Sequence, residues 1–168
     1  MRIILGLLVI LSACNSGPKK DSVSFKDLEP LQGTWSGKQD ILASDDTTWI
    51  TYNTALAVTA LKDSLELGFS FKSADGEELM EKGTFYIHGD GAKLNFGPSE
   101  YNIQSVNRTK DDLIITAMKE DEDNDKQADI RLTIGIHSNR NLTMMREVKY
   151  KGTANFFKRI DLKLGRNK

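Results

Sequence analysis

The feature that most constrains this chain is an apolar pattern with a period of two residues. Leu65, Leu67 and Phe69 alternate with more polar neighbours, and the segment 130–136 repeats the pattern with isoleucine and leucine. Successive side chains of a β-strand point to opposite faces, so each of these segments has one dry face and one wet face. The pattern predicts an antiparallel sheet with one covered face.

Turn signals divide the chain into about ten strands. Asp75-Gly76, Asp90-Gly91 and the stretch 138–141 carry residue types that tolerate positive φ or form local side-chain hydrogen bonds. The alternation places strands near residues 34–41, 49–60, 64–72, 81–88, 92–97, 101–108, 112–120, 128–137, 141–150 and 155–164. An open sheet of this length would expose costly edges. We therefore predict an all-β fold, an antiparallel up-and-down β-barrel of about 8–10 strands, with a β-sandwich as the alternative.

The N-terminus has the layout of a secretory signal. Arg2 precedes the apolar run 3–11, which is too short to span a bilayer, and small residues stand before Cys14. The run Leu11-Ser12-Ala13-Cys14 resembles a lipobox. This resemblance implies cleavage before the cysteine and attachment of diacylglyceryl and further acyl chains, such as palmitate, to Cys14. The alternative is an ordinary signal peptide with a chance cysteine.

These features divide the chain into a signal peptide (1–13), a lipidated Cys14 with a flexible tether (14–23) and one domain (24–168). Asn15, rather than Asp, follows the cysteine, and by the same resemblance this favours the outer membrane. We expect a membrane-anchored protein of the cell envelope. The formal net charge of -1 gives no basic surface for nucleic acid, so nucleic acid is not an expected partner, and we expect a monomer.

Catalytic and metal-binding patterns are weak. Cys14 is the single cysteine, and His88 and His137 have the parity of outward-facing residues, so we expect no enzyme and no cofactor. The segment 121–129 offers carboxylates at alternate positions, as a calcium loop does at its start. Lys126 and Leu132 replace the glycine and the glutamate that such a loop needs, so a solvated hairpin loop is the better interpretation.

A short motif indicates how one end of the barrel is closed. Ser24 can cap a helical turn that Pro30 ends, and the run Leu31-Gln32-Gly33-Thr34-Trp35-Ser36-Gly37 follows directly. This L-x-G-x-W-x-G run resembles the Gly-x-Trp motif of lipocalin-like proteins. Gly33 allows a close backbone approach, and the Trp35 ring is suited to closing a barrel floor. The resemblance implies a lipocalin-like barrel with an arginine from the C-terminal region over the tryptophan.

Two arginines compete for that place. Arg146 has the parity of Met144 and Val148 and would face inward, whereas Arg159 has the opposite parity to Leu162. We therefore assign the floor to Gly33, Trp35 and Arg146, with Arg159 as the alternative.

The inward positions are mostly apolar, which favours an apolar or amphipathic ligand or none. The candidate ligand contacts are Tyr52, Phe69, Phe85, Phe96, Tyr101 and Leu132. Two function classes follow. The first is a membrane-anchored protein that binds or carries a small apolar or amphipathic molecule in the envelope. The alternative is a non-enzymatic envelope scaffold whose barrel is filled by its own side chains.

Overall fold

The structure, a computed structural model, describes residues 22–168, which form a closed antiparallel barrel of ten strands. The fold prediction is confirmed, including a short helical piece before the first strand. The predicted signal peptide, Cys14 and most of the tether lie outside the described residues. The elements are a 3₁₀ helix (Phe25–Leu31) and the strands β1 (Gly33–Leu42), β2 (Trp49–Ala60), β3 (Leu65–Lys72), β4 (Glu78–Ile87), β5 (Lys93–Phe96), β6 (Ser99–Arg108), β7 (Asp112–Asp123), β8 (Lys126–His137), β9 (Asn141–Tyr150) and β10 (Phe157–Arg166).

Each strand pairs antiparallel with the next one along the chain, and β10 returns to pair with β1. Trp35 lies opposite Arg166 of β10 and opposite Leu56 of β2. The connectivity is therefore that of an up-and-down barrel, as the hairpin signals predict. Within residues 22–168 no helix has the length and apolarity needed to cross a bilayer.

The period of two decides which side chains form the core. Leu65 and Leu67 are buried while Glu66 between them is exposed, and the same division runs along the other strands. In β8 the buried side chains are Ala128, Ile130, Leu132, Ile134 and Ile136. Each Leu or Ile buried in this way stabilises the fold by about 1.5–3 kcal/mol relative to an exposed one.

The hairpin between β7 and β8 is tighter than the predicted solvated loop over 121–129. Strand β7 continues to Asp123, and only Asn124 and Asp125 form the turn, with φ of 50° and 59°. Two successive positive φ angles match the right-handed twist of the flanking strands, and Asn and Asp tolerate them. Asp123 therefore belongs to a strand, where its side chain is buried.

The barrel has two distinct ends. The floor end carries the 3₁₀ helix, and Leu28 and Leu31 of that helix are buried in the main core. The helix begins where the Ser24 backbone N–H donates to the Asp27 carboxylate at 2.8 Å. The far end carries the connections 43–48, 73–77, 124–125 and 151–156, whereas the connection 97–98 lies partway along the wall.

Candidate functional site

Trp35 closes the floor end of the barrel. Its ring is 0% exposed, and its indole N–H donates a hydrogen bond to the carbonyl oxygen of Leu31 at 2.8 Å. A buried Trp needs such a partner because an unpaired N–H in the core is costly. The ring thus lies against Leu31, the last residue of the 3₁₀ helix.

The two glycines that flank Trp35 serve close packing. Gly33 has a φ of 119°, and a Cβ on it would lie 3.1 Å from Nη1 of Arg166. A Cβ on Gly37 would collide with the carbonyl oxygen of Lys163 on β10. Both glycines therefore allow β10 and its last side chain to approach the first strand. The L-x-G-x-W-x-G run is accounted for by the fold.

The arginine that covers Trp35 is Arg166, at the end of β10. Its guanidinium carbon lies 4.4 Å from the centre of the indole ring. Nε donates to the Asn139 carbonyl oxygen and Nη1 to that of Gln32, both at 2.8 Å, and Nη2 donates to the carbonyl oxygen of Pro30. Arg166 therefore fastens the helix and the 138–140 connection to the floor.

The assignment of Arg146 to the floor is wrong, and so is the alternative Arg159. Arg146 does face inward, but it pairs with Ile160, which pairs with Ile41. Ile41 lies six residues along β1 from Trp35, or about 20 Å at the rise of a β-strand. The alternation of side chains predicted the correct face of β9 for Arg146, but not its position along the barrel axis.

Arg146 belongs instead to a polar group at the far end, of which Asp123 and Arg159 are buried. We call this group the far-end cluster: Asp46, Asp123, Arg146, Tyr150 and Arg159. Arg159 Nη2 lies 2.6 Å from Asp123 Oδ2 and 2.6 Å from Asp46 Oδ1. Arg146 Nη1 lies 3.0 Å from the other oxygen of Asp123. Two carboxylates thus balance two guanidinium groups.

A β-bulge explains how Arg159 joins this cluster. The register of β10 against β9 shifts between Lys158 and Ile160, so the parity of the strand changes at Arg159. Its side chain is 4% exposed, and Nη1 also donates to the Ala43 carbonyl oxygen at 2.9 Å. The 43–48 connection is thereby held over the far end.

The electrostatics of the cluster favour the ion-paired state. Burial alone would raise the pKa of Asp123, but the hydrogen bond from Arg159 and the charge of Arg146 outweigh burial, so this pKa lies below its ordinary value. Burial raises the pKa of Tyr150, and its hydrogen bond to Asp123 at 3.1 Å adds to this effect. Asp123 is therefore ionised and Tyr150 is a neutral donor at neutral pH. Every charge of the cluster has a partner, so the group closes the far end and offers no unused charge to a ligand.

The apolar core around Phe85 holds little free volume. Among residues 22–168, the cavity lined by apolar core side chains measures about 20 Å³, enough for one water molecule. Small-molecule pockets measure about 300–1,000 Å³. The cavity is lined by Leu31, Leu56, Val58, Leu67, Phe69, Phe85, Phe96, Ile134, Leu142, Met144 and Leu162.

The structure brings three of the six candidate ligand contacts together and leaves three apart. Phe69, Phe85 and Phe96 line the cavity. Tyr52 lies nearer the far end, with its ring centre 6.3 Å from that of Phe71. The remaining two candidates, Tyr101 and Leu132, are buried but do not line the cavity.

Within residues 22–168, one buried side-chain polar atom has no hydrogen-bond partner. Thr54 of β2 is 3% exposed, has the inward parity of Leu56, and makes no hydrogen bond through its hydroxyl within the described part of the chain. Burying a hydroxyl without a partner costs about 1–3 kcal/mol. Sequence reasoning missed Thr54 because a threonine in a strand is unremarkable until the packing around it is known.

The barrel wall is incomplete between β4 and β7. Strand β5 pairs with β4 only at residues 85–87, and β6 pairs with β7 only up to Met118. Residues 78–83 pair with β3 on one edge, and residues 119–123 pair with β8 on one edge. The opposite edges of these two segments face each other, and no strand among residues 22–168 pairs with either of them. We call this opening the wall gap. Leu79, which has inward parity, is 57% exposed at its edge.

The outward histidines have ordinary strand partners. His88 Nε2 lies 2.7 Å from Asn95 Oδ1, and His137 contacts Asp112 and Thr143. In the region from residue 22 onward, no three His, Cys, Asp or Glu side chains are grouped so that they could hold a metal ion.

Comparisons with known proteins add to the fold. No protein-family model and no curated protein matches this sequence. Among solved structures, the chain is similar to the crystal structure of Rv2717c from M. tuberculosis, with a TM-score of 0.64 and 15% sequence identity over 86% of this chain and 97% of that chain. At this identity the similarity concerns the fold alone. This chain therefore shares its barrel architecture with Rv2717c.

Proposed function

We propose that this protein is a non-enzymatic, lipid-anchored scaffold of the bacterial cell envelope, whose filled barrel presents its outer surface to other proteins. The observation that carries the proposal is the volume of the interior cavity, about 20 Å³. A molecule the size of a fatty acid cannot enter such a space unless core side chains move away. This preference reverses the order in which sequence alone ranks the two function classes.

Both ends of the barrel support the same conclusion. Trp35 and Arg166 close the floor end, and Asp123 and Arg159 hold the 43–48 connection over the far end. Opening the far end would expose or separate a buried ion pair, and breaking such a pair costs about 3–5 kcal/mol.

Native mass spectrometry of residues 22–168 tests the proposal. Every strand of the barrel lies in this fragment, so we expect it to fold alone. The expected result is the mass of the bare chain after purification from a bacterial host and after addition of fatty acids and isoprenoids. A discrete adduct that organic extraction identifies as an apolar compound would overturn the scaffold.

A cavity-forming variant serves as the positive control. Phe85 lines the cavity and is 1% exposed, so Phe85→Ala leaves an apolar space that an added probe such as benzene can enter. Detection of the probe in this variant and not in the wild type would show that the method detects binding and that the native interior is filled.

The second candidate is the lipocalin-like binder of a small apolar molecule, and the wall gap favours it. Leu79 at the gap is largely exposed, and Phe69 of the cavity lining is only half-buried. A ligand that displaced Phe69 would enter here and could bond the unpartnered hydroxyl of Thr54. This second candidate predicts an apolar adduct in native mass spectrometry, which is the result that would overturn the scaffold.

The anchor is part of the proposal and rests on Leu11-Ser12-Ala13-Cys14. Cys14→Ser should move the full chain out of the membrane fraction and abolish incorporation of a labelled fatty acid. Ser16→Ala is the matched control and should leave both unchanged. Retention of the Cys14→Ser protein on membranes in high salt would contradict lipid anchoring, and density-gradient separation of the two membranes tests the outer-membrane location.

A further inference from the structure

The strand segment beside the wall gap has a free hydrogen-bonding edge. The backbone N–H of Gly97 donates to the Thr84 carbonyl oxygen at 2.8 Å, so even-numbered residues of β4 direct their backbone groups away from β3. Beyond Thr84, among residues 22–168, the β4 residues with this orientation have no strand partner. These residues are Glu78, Met80 and Lys82.

This edge also carries the most exposed large apolar side chains. Met80 is 76% exposed and Leu79 is 57% exposed, more than any other large apolar residue of the described chain. An unpaired strand with an apolar centre is a ready template for another strand. The edge is therefore suited to pairing with another extended segment.

We propose that two copies of this chain pair through residues 78–82 of β4, antiparallel and centred on Met80. In this register Met80 faces Met80 of the other copy, and Glu78 faces Lys82 in both directions. The residues with free backbone groups then oppose one another, and each pair exchanges both of its N–H···O bonds. A two-fold axis perpendicular to the sheet relates the copies, so the outer faces of both barrels stay on the same side.

Charge complementarity selects a second copy as the occupant. Opposite charges on facing residues stabilise a strand pair, and the segment Glu78-Leu79-Met80-Glu81-Lys82 places an acid at one end and a base at the other. If the register shifts by two residues in either direction, Glu78 no longer faces Lys82. In one of these two shifted registers the partner strand would also have to pair with Thr84, whose carbonyl oxygen already accepts a hydrogen bond from Gly97. The charges of this segment therefore match those of a second, antiparallel copy of the same segment.

The dimer is weak because the contact is short. Five residues from each copy bury far less than the area of a standard protein interface, so association in the micromolar range or above is expected. This proposal replaces the expectation of a monomer from sequence. It does not depend on whether the interior is filled, since the edge lies on the wall.

Analytical ultracentrifugation of residues 22–168 over a wide range of concentrations tests the pairing. The wild type should pass from monomer to dimer as concentration rises. Lys82→Glu places like charges opposite each other twice and should raise the dimer dissociation constant at least tenfold. Glu78→Lys should act alike, although it also removes the exposed hydrogen bond from Ser70 Oγ.

The double variant Glu78→Lys plus Lys82→Glu restores the opposite charges and should restore the dimer. Glu66→Lys, on the outer face of β3, is the matched control and should not change association. Circular dichroism and thermal midpoints check that each variant is folded. In the wild type, amide exchange of residues 78, 80 and 82 should slow as concentration rises. A chain that stays monomeric throughout, or a dimer that none of the charge variants weakens, would overturn the proposal.

Discussion

The guanidinium of Arg166 stacks on the ring of Trp35, with 4.4 Å between the guanidinium carbon and the ring centre. The two residues face each other across the β1–β10 pairing that closes the barrel. Because Arg166 also donates to carbonyl oxygens of the helix region and of the 138–140 connection, one side chain joins three segments that are distant in sequence. This joint, the far-end cluster and the buried hydroxyl of Thr54 lead to four predictions about stability.

Trp35→Ala should lower the free energy of unfolding by about 3–5 kcal/mol, because it removes a fully buried ring and leaves a cavity at the floor. The measurement is the midpoint of denaturant unfolding. Trp49→Ala is the matched control, since Trp49 is 47% exposed and should cost far less. Equal losses for the two variants would contradict the role of Trp35 as the floor.

Arg166→Met should destabilise the domain by about 2 kcal/mol, because three carbonyl oxygens lose a charged donor. Trp35 emission, recorded in a Trp49→Phe background, should shift to longer wavelength as water reaches the ring. Arg140→Met changes an exposed arginine of the neighbouring connection and should do neither. Normal stability with unshifted emission in the Arg166 variant would remove its role in fastening the floor.

Asp123→Asn should destabilise the domain by about 3 kcal/mol near neutral pH, because it removes the carboxylate that pairs with Arg146 and with the buried Arg159 and leaves Arg159 with only Asp46. The pKa of Asp123 lies below its ordinary value of 3.8, so the charge contributes fully above that pH, and its contribution is lost as pH falls through the lowered value. Urea midpoints of the two proteins should therefore converge below pH 3.8. Asp125→Asn, in the exposed turn, is the control, and a difference independent of pH would exclude the ion pair as its source.

Thr54→Val should raise the free energy of unfolding by about 1 kcal/mol, because it removes a buried hydroxyl without a partner and keeps the shape of the side chain. Thr59→Val, at an exposed position of the same strand, should have little effect. The measurement is the thermal midpoint of each variant and of the wild type by calorimetry. If Thr54→Val is destabilising, the Thr54 hydroxyl has a hydrogen-bond partner in solution. That result would support the second candidate function, the binding of a small molecule.

The strands could be predicted because their pattern is local. A dry face and a wet face along Leu65–Lys72 follow from the alternation of side chains alone, and the DG and SNRN turns mark where strands end. The predicted β4 and β10 each began or ended a few residues from the observed bounds. For β10 this had a consequence, because ending the strand at residue 164 left Arg166 outside it. Continuing the alternation of Ile160, Leu162 and Leu164 would have placed Arg166 inward.

The far-end cluster could not be predicted from pattern. The bulge at Arg159 reverses parity without a glycine to mark it, and Asp123 stands in a run of charges that is typical of a solvated loop. Their pairing depends on how far the sheet curls, which brings residues 36 positions apart together. The volume of the cavity was equally out of reach, since it depends on how side chains from many strands fit together.

The pairing of β1 with β10 sets the order in which the barrel can form. The hairpins from β1 to β9 can each form as soon as their two strands are available, but the closing pair must wait until the far end of the chain arrives. Until then Trp35 has no cover and β1 offers an open edge to any extended chain nearby. A chain cut before Phe157 would therefore retain nine strands and leave β1 unpaired and prone to aggregate, which makes the last strand a condition for solubility as well as for stability.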